Sequence, residues 1–311
     1  MAVSIFFRPS LPQLLALKPF SAIPVPRLHS FISAAKMEGI EVAEQEEVKE
    51  TGKKRIFVAG ATGKTGRRIV DKLLSKGFGV RAGVIDLEKA KTSLPTDSDV
   101  QIVKADVTEG SEKLVEAIGD AEAVICATGF RFSWDLFAPW KEVRPSWMLS
   151  HLYANQIPCF HGILLHVDNF GTVNLVEACR KAGLNRFILI SSILVNGAAM
   201  GQIFNPSYII LNVFGLTLVA KLQAEQHIRR SGINYTIVRP GGLREDPPSG
   251  NVVMEPEDTL YEGSISRDQV AEVAVEALLH PESNYKVVEI VSRPEAPKRS
   301  FEELFGSIKN D

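Results

Sequence analysis

Cysteine is scarce in this sequence. Cys126, Cys159 and Cys179 are the only three in 311 residues, and no two stand in a CxxC pair. An odd, scattered set excludes a disulfide framework and a cysteine-based zinc site, and no metal is expected. No run of 18 or more apolar residues occurs, so no helix spanning a bilayer is predicted. No segment repeats at a fixed period. Basic residues hold no majority either: the formal net charge is −2. With no basic, aromatic-laced stripe, nucleic acid is disfavoured as a partner.

The first 36 residues lack Asp and Glu altogether while holding Arg8, Lys18, Arg27 and Lys36, with Ser4, Ser10, Ser21, Ser30 and Ser33 among them. Acid-poor, basic and serine-bearing is the composition of a transit peptide. Pro9, Pro12, Pro19, Pro24 and Pro26 break its apolar clusters, which fits a secretory signal poorly and favours plastid targeting. Removing 1–36 takes the formal charge from −2 to −6. Residues 37–53 carry six glutamates and no apolar periodicity, so they read as a solvated acidic linker.

From Arg55 onward, short apolar runs alternate with amphipathic stretches. Strands are predicted at 55–60, 80–84, 100–104, 123–127, 186–191, 235–239 and 286–291, and helices at 65–76, 167–182, 218–231 and 267–279. This alternation predicts βαβ units on a parallel sheet. Runs such as VICA and FILI are apolar throughout, as in strands covered on both faces. The predicted fold is therefore a doubly wound α/β Rossmann domain over 54–295, with a mostly parallel sheet of about seven strands and a C-terminal tail at 296–311.

The strongest motif is Gly60-Ala61-Thr62-Gly63-Lys64-Thr65-Gly66, placed directly after the first strand and opening a helix. In such a loop the first glycine allows a tight turn, the second admits a pyrophosphate and the third lets the helix pack on the strand. The helix N-terminus then offers N–H groups and a positive dipole end to phosphate. Loops at the same sheet edge complete the expected dinucleotide site: Asp106-Val107 beside the adenine, Ala127-Thr128-Gly129 under the nicotinamide ribose, and Pro240 after strand six. An acid at the end of strand two would hold an NAD ribose 2′-OH, but Val84 and Ile85 come first and Asp86 stands one place late. Lys64 and Arg67 suit a 2′-phosphate. NADP(H) is the expected cofactor, with NAD(H) as the alternative.

GATGKTG, KADVT, ICATG, ILISSI and YTIVRPGGLR, in this order, resemble the NmrA-like, atypical short-chain dehydrogenase/reductases, within the divergent epimerase/dehydratase superfamily of plant plastids. The likeness covers about residues 54–305 apart from 142–166. It implies a Rossmann fold, a nicotinamide cofactor and a plastid home, in the stroma or peripheral to thylakoid or lipid droplet. Working reductases of this kind use Ser, Tyr and Lys, with Tyr four residues before Lys. Ser192 and Lys221 match the Ser and the Lys, but Thr217 stands where Tyr belongs, and Tyr208 lies too far upstream. Relatives that prefer NADP often carry Arg at the position of Ile85.

Three features fall outside this pattern. Residues 142–166 stretch the connection after strand four to about forty residues, far beyond an ordinary βα loop. They read as an insertion, lineage-specific or a translated intron; a metal set from His151, Cys159, His161 and His166 has no familiar ligand spacing. Phe187–Ala220 runs without a charge or a histidine, and reads first as a buried helix and loop, or else as an apolar substrate pocket or a lipid-touching surface. Arg239 either flanks the nicotinamide or makes a structural ion pair. Two functions stay open: an oxidoreductase on a small or apolar substrate, and a non-catalytic NADP(H)-binding protein that senses redox state or tethers a protein partner.

Overall fold

The computed structural model describes residues 53–129, 166–213 and 216–310. The transit segment, the linker up to Gly52 and residues 142–165 of the expected insertion lie outside the described residues. So do His151, Cys159 and His161.

The chain opens with β1 (Arg55–Ala59), α1 (Lys64–Ser75), β2 (Gly79–Val84), α2 (Leu87–Ser93), β3 (Val100–Lys104), α3 (Ser111–Ile118) and β4 (Ala123–Cys126). A π-helix (His166–Gly171) leads into α4 (Thr172–Lys181), β5 (Phe187–Ile190), α5 (Pro206–Val213), α6 (Thr217–Arg230) and β6 (Tyr235–Pro240). The remainder is β7 (Gly242–Arg244), β8 (Asn251–Pro256), β9 (Ser264–Ser266), α7 (Arg267–Leu279), β10 (Lys286–Arg293) and α8 (Phe301–Gly306). The main sheet has eight strands in the order β3-β2-β1-β4-β5-β6-β10-β8. All pairs are parallel except β10–β8. The order reverses between β1 and β4, and such a switch point is where open α/β sheets bind ligands.

Alternation along β1 shows how the sheet is buried on both sides. Ile56 and Val58 face a layer built by Ile69, Val70 and Leu73 of α1 and Val270, Val273 and Ala274 of α7. Phe57 and Ala59 face the opposite layer, with Leu114 of α3, Leu175 and Cys179 of α4 and Ile228 of α6. Successive side chains of a strand point to opposite faces, so a strand covered on both must be apolar where it is covered, as β4 and β5 are throughout and β1 is from Ile56 to Ala59.

The sequence pattern passes over β8, the antiparallel edge strand. Only Met254 of β8 is fully buried, and a half-exposed edge strand has no continuous apolar run to betray it. The short parallel pair β7–β9 forms a separate ladder. Residues 296–311, read as a tail, contain α8. Its capping box joins Ser300 and Glu303, Leu304 and Phe305 are buried, and the Phe305 carbonyl accepts from buried Lys286 at 2.8 Å.

Arg186 fastens β5 to β6 and α7. It donates to Thr236 Oγ1, the Ala277 carbonyl and Ser283 Oγ at 2.6–2.8 Å. With no carboxylate among these partners, burial pushes the guanidinium down to about 10.

Candidate functional site

Ala59 O accepts from Ala127 N at 3.1 Å, bringing the end of β1 against the end of β4. Gly60 turns the chain there at φ +75, a left-handed conformation natural to glycine. A Cβ on Gly66 would sit 2.2 Å from the Gly60 carbonyl, so α1 packs on the loop more closely than any side chain allows. Gly63 caps α1 with extended backbone, and its carbonyl accepts from Arg67 N at 2.9 Å. The first turn of α1 carries no acid. Its leading N–H groups have no intrahelical acceptor, and a bare, positively polarised helix start matches a pyrophosphate. The cradle therefore fits a dinucleotide.

Cations gather beside this loop. Lys64 pairs with Glu245 at 3.0 Å, Arg68 with Asp268 at 3.1 Å and Arg267 with Glu245 at 2.7 Å. Arg267 also donates to Thr65 Oγ1 at 3.1 Å. The Arg267 hydrogen bond, with Lys64 beside it, holds the Glu245 carboxyl below the usual range. Arg67 is exposed with no side-chain hydrogen bond or ion pair among the described residues. Arg68, Glu245 and Arg267 were not singled out from sequence. Arg68 could have been, being one residue beyond Arg67 on the same helix, whereas Glu245 and Arg267 reach the loop only through the fold.

The other predicted cofactor positions lie on the carboxyl-end loops of the sheet. Asp86 caps α2, accepting from Lys89 N at 3.0 Å, while Ile85 beside it is 66% exposed. Asp106 accepts from Thr108 N and Thr108 Oγ1, forming an Asx turn, and the buried Val107 gives its carbonyl to Asn174 at 3.0 Å. Ala127, Thr128 and Gly129 follow β4, where Thr128 Oγ1 lies 3.2 Å from buried Cys126 Sγ. Pro240 is buried at the end of β6, its carbonyl accepting from Ile193 N.

Lys221 comes from α6 and reaches the β4 loop, its Nζ 4.0 Å from where a Gly129 Cβ would stand. Its ion partner is Asp168 of the π-helix, at 3.2 Å. Asp168 went unnoticed in the sequence, where it is one acid in a helical stretch. Ser192 is half-buried and makes no side-chain hydrogen bond among the described residues. Ser191, its neighbour, donates to Glu225. Thr217 is buried at the first position of α6. Tyr208 lies on α5 and packs against Gly197, so it does not replace the missing tyrosine.

Arg239 proves to be the structural alternative. It is buried at the centre of an acidic set, meeting Glu225 at 2.7 Å, Asp258 at 2.8 Å and Glu289 at 3.3 Å. Burial alone would lower its pKa, but these carboxylates outweigh that and hold it above the ordinary arginine value. Glu289 also accepts from the backbone N–H groups of Asp258, Thr259 and Leu260.

The uncharged run is buried in part, with Ile193, Leu194, Val195 and Leu218 in the core, but α5 and the residues just before it depart from the expected buried helix and loop. Phe204 is 83% exposed and Ile210 is 55% exposed, with Ile203, Ile209 and Leu211 also at the surface. An apolar run is equally compatible with a core and with an uncovered helix face, and here α5 lies on the outside. No single helix among the described residues is long and apolar enough to cross a membrane.

Comparison with known proteins agrees with this geometry. Residues 60–281 match the family described as NAD(P)H-binding. A chloroplast protein of Arabidopsis thaliana is 66% identical over 257 residues, covering 82% of this chain and 83% of its own length. The chloroplast protein TIC 62 of Pisum sativum is 35% identical over 81% of this chain, which spans only 46% of the pea protein. Among solved structures, an oxidoreductase from Lactococcus lactis superposes with a TM-score of 0.62 at 22% identity, covering 81% of this chain and 95% of that one. A short-chain dehydrogenase/reductase from Veillonella parvula in complex with NADP gives 0.57 at 17%, covering 79% and 99%. At those identities the two structures speak for the fold alone. By its own loop geometry and by these matches, the chain belongs to the NAD(P)H-binding family, with a Rossmann fold and chloroplast relatives.

Proposed function

We propose that this protein is a plastid NADP(H)-dependent oxidoreductase acting on a small or apolar substrate. The observation that carries the reading is the placement of Lys221 beside Gly129, on the same sheet edge as the Gly60–Gly66 cradle. Gly60, Gly63, Gly66 and the start of α1 would hold the pyrophosphate, and Lys221 the nicotinamide ribose. Lys64 and Arg67, with Arg68 and Arg267 nearby, suit a 2′-phosphate, and no acid directly follows β2, so NADP(H) is favoured over NAD(H). A bound nicotinamide supplies hydride chemistry, and the protein's part is to position the reactants and exclude competing reactions. Without a tyrosine four residues before Lys221, the chain draws its proton from water. The exposed apolar side chains around α5 support an apolar substrate or a peripheral lipid contact. Plastid residence rests on the acid-poor N-terminal composition and the two chloroplast relatives.

A screen of NADPH oxidation with quinones, flavins and enones tests the proposal. Turnover abolished by Lys221→Ala supports it. A second reading, a non-catalytic NADP(H)-binding protein that senses redox state or tethers a complex, is favoured by Thr217 in the tyrosine position. Binding of NADPH with no turnover on any acceptor would select it. In the reductase reading Thr217→Val should change turnover by less than about tenfold, below about 1.4 kcal/mol of barrier. A thousandfold loss would instead make Thr217 a catalytic group.

A further inference from the structure

We propose that Asp168 is a positioning residue that anchors the Lys221 ammonium at the nicotinamide-riboside end of the site. This rests on the reading above that the chain binds NADP(H). The Asp168 side chain is 1% exposed, and neither carboxylate oxygen accepts a hydrogen bond among the described residues. Its charge partner is Lys221 Nζ at 3.2 Å, on a side chain 12% exposed.

The contrast with Arg239 decides what kind of pair this is. A buried ion pair that serves the fold satisfies its remaining lone pairs with hydrogen bonds, because unmet ones are costly. Glu289 does so, with three backbone N–H groups and Arg239 around it. Among the described residues Asp168 takes no such donors, so its burial is not explained as scaffolding. Lys221 likewise donates no hydrogen bond to a described residue. Its N–H groups are left for acceptors from outside the fold, and the hydroxyls of a ribose have that chemistry. Asp168 holds the charge in place without consuming those donors.

The backbone around Asp168 is built to keep it there. The π-helix His166–Gly171 widens the turn that carries it, and single π turns inside helices recur at functional sites. Thr172 Oγ1 donates to the Asp168 carbonyl at 2.9 Å. Asn169 Nδ2 donates to Gln223 Oε1 at 2.7 Å, tying the π-helix to α6 two residues beyond Lys221.

Calorimetric titration of the full chain with NADPH and with 2′,5′-ADP, which lacks the nicotinamide riboside, tests the assignment. Asp168→Asn and Lys221→Met should each weaken NADPH by about tenfold or more while leaving 2′,5′-ADP within about twofold, and the double variant should be no weaker than the worse single one, as coupled residues behave. Asp168→Glu keeps the charge one methylene further out and should restore part of the NADPH affinity. Should Asp168→Asn not fold, Asp168→Glu carries the test, with a partial loss confined to NADPH. Wild-type NADPH affinity in Asp168→Asn, or equal loss of both ligands in a folded variant, overturns the proposal. A wild-type protein that binds neither ligand overturns instead the reading of the whole site.

Discussion

Replacing Gly63 with aspartate is expected to lower NADPH affinity by more than about 100-fold, or about 2.8 kcal/mol, in a protein that stays folded. Gly63 occupies the cap position of α1 in extended backbone. Aspartate is a favoured residue there, since its carboxylate accepts from the first free N–H groups of the helix. A new Cβ would meet the Gly60 carbonyl at 3.0 Å, a contact the loop can relieve by a small shift. The same capping carboxylate occupies the N–H groups a pyrophosphate needs and adds a like charge beside it. Gly66 is the wrong position for this test, because a Cβ 2.2 Å from the Gly60 carbonyl would disrupt the packing of α1 itself. Titration of intrinsic fluorescence against NADPH, with circular dichroism as the check on folding, measures the effect. Unchanged affinity in folded Gly63→Asp would remove the glycine loop from the cofactor site.

The second large effect is on stability. Arg239→Met should cost about 3–5 kcal/mol by leaving buried carboxylates without their cation, a fall in Tm on the order of 10 °C for a domain of this size. The deficit should depend on pH. Burial pushes the Glu289 carboxyl up, an effect that the backbone N–H groups of Leu260 and Asp258 and the Arg239 guanidinium only partly offset. Without Arg239 it rises further. A carboxyl whose folded pKa exceeds its unfolded value binds more protons when folded, so stability is lost as pH rises through that window. The gap between variant and wild type should accordingly be smaller near pH 5 than near pH 8. Thermal melts at the two pH values measure it, and a deficit that is constant across them would show that Arg239 acts by packing alone.

The parts of the site that could be read before the fold are those written in contiguous residues. RIFVA followed by GATGKTG and an amphipathic stretch is a strand, a turn and a helix in one run, so the cofactor cradle was legible together with its orientation. Lys221 was found by resemblance to a pattern of fixed spacing, and the absence of tyrosine at Thr217 by the same spacing. Glu225, four residues beyond Lys221 on α6, was within reach of helical periodicity alone, yet its task of holding Arg239 and Ser191 was not.

The sequence by itself determined the doubly wound sheet, the glycine loop and the loops at the strand ends, because hydrophobic period and turn chemistry are local properties. Only the tertiary structure decided which charges meet. Arg239 collects partners from α6, the loop after β8 and β10, and Asp168 reaches Lys221 across two helices far apart in the chain. Ion pairing depends on where the chain returns, and no spacing rule encodes that path. The same holds for Phe204 and Ile210: an apolar side chain reads alike whether covered or not, and the exposure of α5 follows from what the rest of the fold packs against it.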